Sequence, residues 1–169
     1  MPEEGFFQWS EAISVGVTEV DAQHKVLIGI LNRFFLSVAQ RKDSEMVGEI
    51  LEALIAYAKT HFVLEEQLML DAGYNDAKLE AHKTEHQAFI AKLDQLSRKH
   101  LEDGKPISIE MIRFLKRWLY DHILVTDRGY ALAVKKAGLS AAALKDFADG
   151  AKAAEAAAGP SATKWWKVW

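Results

Sequence analysis

Three features of this 169-residue chain predict an all-α fold, an up-down-up-down four-helix bundle. Apolar residues recur at intervals of three and four along four long segments, which is the helical period. Prolines stand only at positions 2, 106 and 160, so no proline breaks a helix between residues 3 and 105. The interruptions between segments are short, and short connections force neighbouring helices antiparallel.

Residues 1–18 contain Phe6, Phe7 and Trp9 but no sustained period, and read as an extended arm packed on a bundle spanning 19–137. The first helix is expected from about Asp21 to Ala39, with Val20, Leu27, Ile30, Leu31, Phe34 and Phe35 forming its apolar stripe. Arg41-Lys42-Asp43-Ser44 closes it and caps the next, since Asp and Ser side chains accept bonds from the free N–H groups of a helix start. The second helix runs from about Glu45 to Ala72, where Gly73 is a left-handed stop. Asn75 or Asp76 caps the third, which continues to about Glu102 before Gly104-Lys105-Pro106. Ser108 caps the fourth, which extends to about Ala137 and ends at Gly138. Residues 138–169 change composition: Ser140 caps an alanine-rich helix to about Ala158, and a tail with Trp165, Trp166 and Trp169 follows.

Lys and Arg number 21 against 24 Asp and Glu, a net charge of −3, the wrong sign for binding nucleic acid. The absence of cysteine excludes disulfides, thiolate zinc sites, iron–sulfur ligation and cysteine catalysis. No basic segment followed by an apolar run opens the chain, and no apolar stretch approaches the roughly 18 residues that span a bilayer. The expected setting is the cytoplasm.

Six histidines remain to be explained. His61 and Glu65 are four apart, as are His82 and His86, so each pair shares one face of a helix, one turn apart. Glu65 precedes the Gly73 turn by eight residues and His82 follows it by nine, which places both some 12–14 Å from that turn. His24 and His61 each lie 18 residues from the turn at Lys42-Asp43, so they also share a height. His122 and Asp127 follow Pro106 by 16 and 21 residues, while His86 and His82 precede it by 20 and 24. Four helices thus deliver five histidines and two carboxylates to one layer. Buried without a metal, such a set would lack partners at considerable cost. His100 is the internal control: about 21 Å along the axis from His86, it falls outside the layer and reads as a solvated histidine near a helix end. His122 and Asp127 are five apart, off one face of a regular helix, so a local widening at Val125 is expected.

Seven ligands exceed what one zinc takes, and imidazoles with bridging carboxylates suit two iron ions best. At this point the sequence resembles the hemerythrin family, specifically the bacterial hemerythrins. The resemblance rests on GVTEVDAQH, HFVLEEQLMLDAGY, HKTEHQAF and WLYDHILVTD, and covers about residues 9 to 132. Where many relatives have Tyr-Pro after the second helix, this chain has Tyr74-Asn75, which concerns only a cap. The resemblance implies that His82, His86 and His122 hold one iron and that His24 and His61 hold the second. Glu65 and Asp127 would bridge the two, with an oxide or hydroxide as third bridge and an open position for dioxygen on the second iron. Trp118, Leu119, Ile123, Leu27, Ile28 and Phe62 are candidates to wall the dioxygen pocket, where an apolar lining would exclude water and protons.

The implied function is reversible dioxygen binding for transport, storage or delivery, not catalysis. The alternatives are an oxygen or redox sensor acting through a partner, and a di-iron oxidase or peroxidase. Carboxylate-bridged oxidases use Glu-x-x-His motifs; this chain has none, and Asp21-x-x-His24 is the only near match. The tail combines Trp165, Trp166 and Trp169 with Lys164 and Lys167, and is expected to dock on a protein partner, the bundle or a second copy. Two lysines attract anionic lipid only weakly, which argues against a membrane.

Overall fold

A computed structural model describes residues 5–139. Within them the chain forms a 3-10 turn at Glu11–Ile13, then α1 (Thr18–Ala39), α2 (Ser44–Asp71) and α3 (Asp76–Leu101). A fourth helical rod follows, made of α4 (Ile109–Asp121), a π-helical turn (His122–Asp127) and α5 (Arg128–Lys136). No strand occurs among the described residues, and the all-α bundle is the architecture predicted from the periodicity. The alanine-rich helix expected from Ser140 and the tryptophan-rich tail lie outside the described residues. No described helix is long and apolar enough to cross a membrane.

The connections hold because their caps are satisfied. Asp43 accepts from the Met46 N–H at 2.9 Å, Asn75 from the Lys78 N–H at 3.1 Å and Ser108 from the Met111 N–H at 3.2 Å. Of the two candidates before α3, Asn75 is the cap. At the end of α2, Gly73 takes φ +62°, letting its own N–H reach the Leu70 carbonyl and the Tyr74 N–H reach that of Met69. With these short turns, α2 packs against both α1 and α3, and α1 against α4. The core between them includes Leu27, Leu31, Phe34, Leu51, Leu54, Leu93, Ile112 and Leu115, all nearly inaccessible. Ile30 and Phe35, expected in the α1 stripe, sit at its half-buried margin.

From Phe6 onward the arm is tied down and is not uniformly extended. Phe7 is buried, and its N–H and carbonyl both pair with the Asn32 amide at 2.8 Å. Phe6 stacks on Phe35 at 4.1 Å, and its carbonyl accepts from Lys116. The Asp21 carboxylate accepts from the Val15 N–H at 2.9 Å, the Gly16 N–H at 3.1 Å and the Ser14 hydroxyl at 2.6 Å. Helix α1 therefore starts at Thr18, three residues before Asp21, because Asp21 holds the incoming arm and does not cap the helix.

Candidate metal centre

All seven residues predicted for the layer converge, each buried, at one level of the bundle. α1 contributes His24, α2 His61 and Glu65, α3 His82 and His86, and the π turn His122 and Asp127. Their donor atoms fall into two overlapping groups. One comprises Glu65, His82, His86, His122 and Asp127; the other His24, His61 and Glu65, with the atoms of each group within 4.8 Å of one another.

The carboxylates divide their oxygens between the two sides. Glu65 Oε1 faces His24 Nε2 at 3.6 Å and His61 Nε2 at 3.4 Å, while Oε2 faces His86 Nε2 at 3.2 Å and His82 Nε2 at 3.7 Å. Asp127 Oδ2 faces His24 Nε2 at 3.3 Å, while Oδ1 faces His122 Nε2 at 3.2 Å and His82 Nε2 at 3.3 Å. Each carboxylate therefore spans from the two-histidine side to the three-histidine side.

The π turn makes this possible. An i→i+5 turn is wider than a regular helical turn and rotates the chain less per residue, which brings His122 and Asp127, five apart, back toward one face. The widening expected at Val125 is present, with Val125 itself turned outward at 75% exposure.

The electrostatics are those of a charged set enclosed in a core. Burial would lower His24 and His82, but the facing carboxylates of Asp127 and Glu65 outweigh it and hold both up at about 9. His61, where burial dominates, is pushed down to about 4. Burial would raise Glu65, yet the surrounding imidazoles, His61 first, hold it well below the usual carboxylate range. Asp127 is likewise held far below its ordinary value, despite burial and the charge of Glu65, by His122 and His24.

The donor set fits a bound cation on two observations. Both ring nitrogens of His24, His82 Nε2, Glu65 Oε2 and both Asp127 oxygens are buried with no hydrogen-bond partner. Orphaned buried polar atoms in such number are unusual in a folded protein. In addition, His86 Nδ1 lies 2.9 Å from a Glu66 oxygen and His122 Nδ1 2.8 Å from a Glu85 oxygen. Carboxylates accept, so both Nδ1 atoms carry the proton in the neutral rings and both Nε2 atoms present lone pairs. Those lone pairs converge at 3.1 Å, an arrangement that calls for a positive charge between them.

The chain matches the Hemerythrin HHE cation binding domain over residues 15–133. It belongs to the hemerythrin family. It is 37% identical over 128 residues to a bacteriohemerythrin of Stenotrophomonas maltophilia (strain R551-3), covering 75% of this chain and 80% of that protein. A bacteriohemerythrin of Pseudomonas aeruginosa (strain LESB58) is 34% identical over 127 residues, with the same coverage. The crystal structure of a wild-type hemerythrin superposes with a TM-score of 0.71 at 29% identity, covering 76% of this chain and 98% of that one. The resemblance drawn from the motifs is thus shown, and the bundle is the hemerythrin fold.

Of the residues expected to wall a ligand pocket, Phe62 and Trp118 lie against the imidazoles. Phe62 stacks on His86 at 3.8 Å, and Trp118 on His122 at 4.5 Å and on Phe89 at 3.9 Å. Leu27, Ile28, Leu119 and Ile123 belong to the buried apolar core. Asp21 is committed to the arm, which removes it as a competing ligand. One expectation is overturned: His100 is buried, not solvated. Its Nδ1 donates to the Lys105 carbonyl at 3.0 Å and its Nε2 lies 3.1 Å from the Ser44 hydroxyl, because the turn after α3 folds back over it. It joins neither group of donor atoms.

Sequence reasoning missed the residues behind the layer. Gln23 faces His61 Nδ1 at 2.9 Å, Glu66 faces His86, Glu85 faces His122, and Tyr130 donates to Glu65 Oε1 at 2.7 Å. A usable signal existed: Gln23, Glu66 and Glu85 each adjoin a layer residue in sequence (His24, Glu65, His86). One residue along a helix turns the side chain by about 100°, toward the next helix of the bundle. Each accordingly supports a histidine one helix further on. Glu85, His122, Trp118 and Thr126 also line a surface cleft of about 500 Å³, together with Phe114, Arg117, Asp121 and Val125.

Proposed function

We propose that the chain binds dioxygen reversibly at a non-haem di-iron centre, serving transport, storage or delivery and not catalysis. The observation that carries this reading is the donor set itself: five imidazoles and two carboxylates, the carboxylates split across two groups of histidines. His82, His86 and His122 would hold one iron, His24 and His61 the other, and Glu65 and Asp127 would bridge them. When bound there, two iron ions with an oxide or hydroxide would supply the electrons for dioxygen uptake, and the buried charge would not change if proton and electrons stayed within the site.

The residues of the chain confine and steady that chemistry. Five neutral imidazoles disfavour the high-valent iron that anionic ligand sets support in oxidases, and no Glu-x-x-His motif occurs in the sequence. Tyr130, whose phenol burial and the nearby carboxylates push well above its ordinary pKa, stays protonated and holds Glu65 Oε1 in place. Phe62 and Trp118 against the imidazoles, with Leu27, Ile28, Leu119 and Ile123 as further wall, would keep water and protons from a bound ligand. The setting is the cytoplasm, with neither nucleic acid nor membrane as partner. The working unit is a bundle of residues 19–137 with the arm 1–18 and the tail 138–169 as additions. The tail docks through its tryptophans on a protein partner, the bundle or another copy. Truncation after Gly159 tests this: unchanged oligomeric state, thermal stability and liposome binding would make it an idle terminus.

Metal analysis and absorption spectra test the main reading. Two iron per chain are expected, with a visible charge-transfer band that appears when reduced protein meets air and fades when oxygen is removed. One zinc and no iron would end it. Rapid turnover of oxygen with a reductant, in place of a stable oxygenated form, would favour the oxidase alternative.

A further inference from the structure

The two sides of the centre differ in what stands behind their histidines, not only in how many there are. On the three-histidine side, His86 Nδ1 is 2.9 Å from the Glu66 carboxylate. His122 Nδ1 is 2.8 Å from Glu85 Oε2, which also accepts from the Thr126 hydroxyl at 3.0 Å. On the two-histidine side, His61 Nδ1 meets Gln23 Oε1, a neutral amide, at 2.9 Å. His24 Nδ1 is buried with no partner at all. The Glu65 oxygen that faces this side, Oε1, already accepts a bond from Tyr130 at 2.7 Å.

These contacts act in one direction. An imidazole N–H held by a carboxylate makes the opposite ring nitrogen a stronger electron donor to a metal, and a neutral amide does so less. A phenol bonded to a ligand oxygen withdraws electron density from it. Two anions thus reinforce one side, while the other receives a neutral partner, an unpartnered ring and a carboxylate oxygen drawn toward a phenol.

We propose that Glu66 and Glu85 are positioning residues that make the three-histidine side the tighter and more electron-rich metal subsite, while the neutral Gln23 leaves the two-histidine side the weaker one. The proposal rests on the two-metal reading above. It assigns the metal that is harder to lose to His82, His86 and His122, and the more labile one to His24 and His61.

The test is anaerobic titration of metal-free protein with Co²⁺, followed by its visible absorption and by competition with a chelator. Glu66→Gln and Glu85→Gln preserve an acceptor while removing the charge, and each is expected to weaken Co²⁺ binding about 10–100-fold. That loss should persist in a His61→Ala background, which leaves the three-histidine side standing alone. Gln23→Glu should strengthen binding, a gain no purely structural role predicts, and the gain should vanish in His61→Ala. Parental affinity in both glutamine variants, loss of their effect in His61→Ala, or weakened binding in Gln23→Glu would each overturn the proposal. If the parent takes up two Co²⁺ while the variants match it, this inference fails alone. A parent that takes up no metal pair sinks the two-metal reading with it.

Discussion

His100 and His122 are both withdrawn from solvent, at 7% and 4% exposure, yet their ring nitrogens keep opposite company. His100 is bonded on both sides by neutral groups, the Lys105 carbonyl and the Ser44 hydroxyl. His122 is anchored only at its outer nitrogen, by Glu85, while Nε2 points at His86 Nε2 and Asp127 Oδ1. The same contrast holds for the whole layer, where six buried polar atoms lack hydrogen-bond partners. Burial therefore does not separate a ligand from a core histidine in this bundle. The separation lies in whether the inner nitrogen already has a partner.

The largest expected effect breaks the comparison at the metal. His61→Ala and His82→Ala should each lose one bound metal or both, whereas His100→Ala should retain both, as elemental analysis of purified protein will tell. Equal metal loss from all three would refute the division drawn here.

A smaller effect runs the other way. His100→Ala removes a packed ring and leaves the Ser44 hydroxyl and Lys105 carbonyl without it, at a cost of about 1–3 kcal/mol of folding stability. Urea denaturation should show a lower midpoint with full metal content. An unchanged midpoint would mean that the polar closure of this end contributes nothing.

The finest distinction is in pH dependence. Without metal, His24 and His82 are held up at about 9 against an ordinary 6.5, once the pull of Asp127 and Glu65 has outweighed burial. Their protonated forms stabilise the metal-free fold fully below pH 6.5, and that contribution is lost as pH rises through about 9. His61, lowered to about 4, acts oppositely: its contribution is present above pH 6.5 and lost as pH falls toward 4. The metal-free Tm should fall between pH 6.5 and 9, and the metal-loaded Tm should hold, because the metal takes the place of the protons. Parallel curves for the two forms would contradict this.

Much of the centre was legible because it depends on heights along helices. Eighteen residues on either side of one turn, and eight and nine around another, put His24, His61, Glu65 and His82 level whatever their rotations. The five-residue spacing of His122 and Asp127 called for a local widening of the helix, which takes the form of a π turn. Gln23, Glu66 and Glu85 stand beside layer residues in the sequence, but which histidine each supports, and that Tyr130 reaches Glu65, depend on distances between helices.

Apart from the motifs that carried the resemblance to the family, the amino-acid sequence by itself determined the helical period and the shared level of seven ligand-type residues. Those are one-dimensional properties: residue type, spacing and rise per residue suffice to compute them. Only the tertiary structure decided that each carboxylate divides its oxygens between two histidine groups, and that charged partners stand behind one group and a neutral amide behind the other. It also decided that the turn after α3 folds over His100 and satisfies it. These outcomes turn on distances between helices and on the path of a loop, and hydrogen bonding is sensitive to such distances within a few tenths of an ångström.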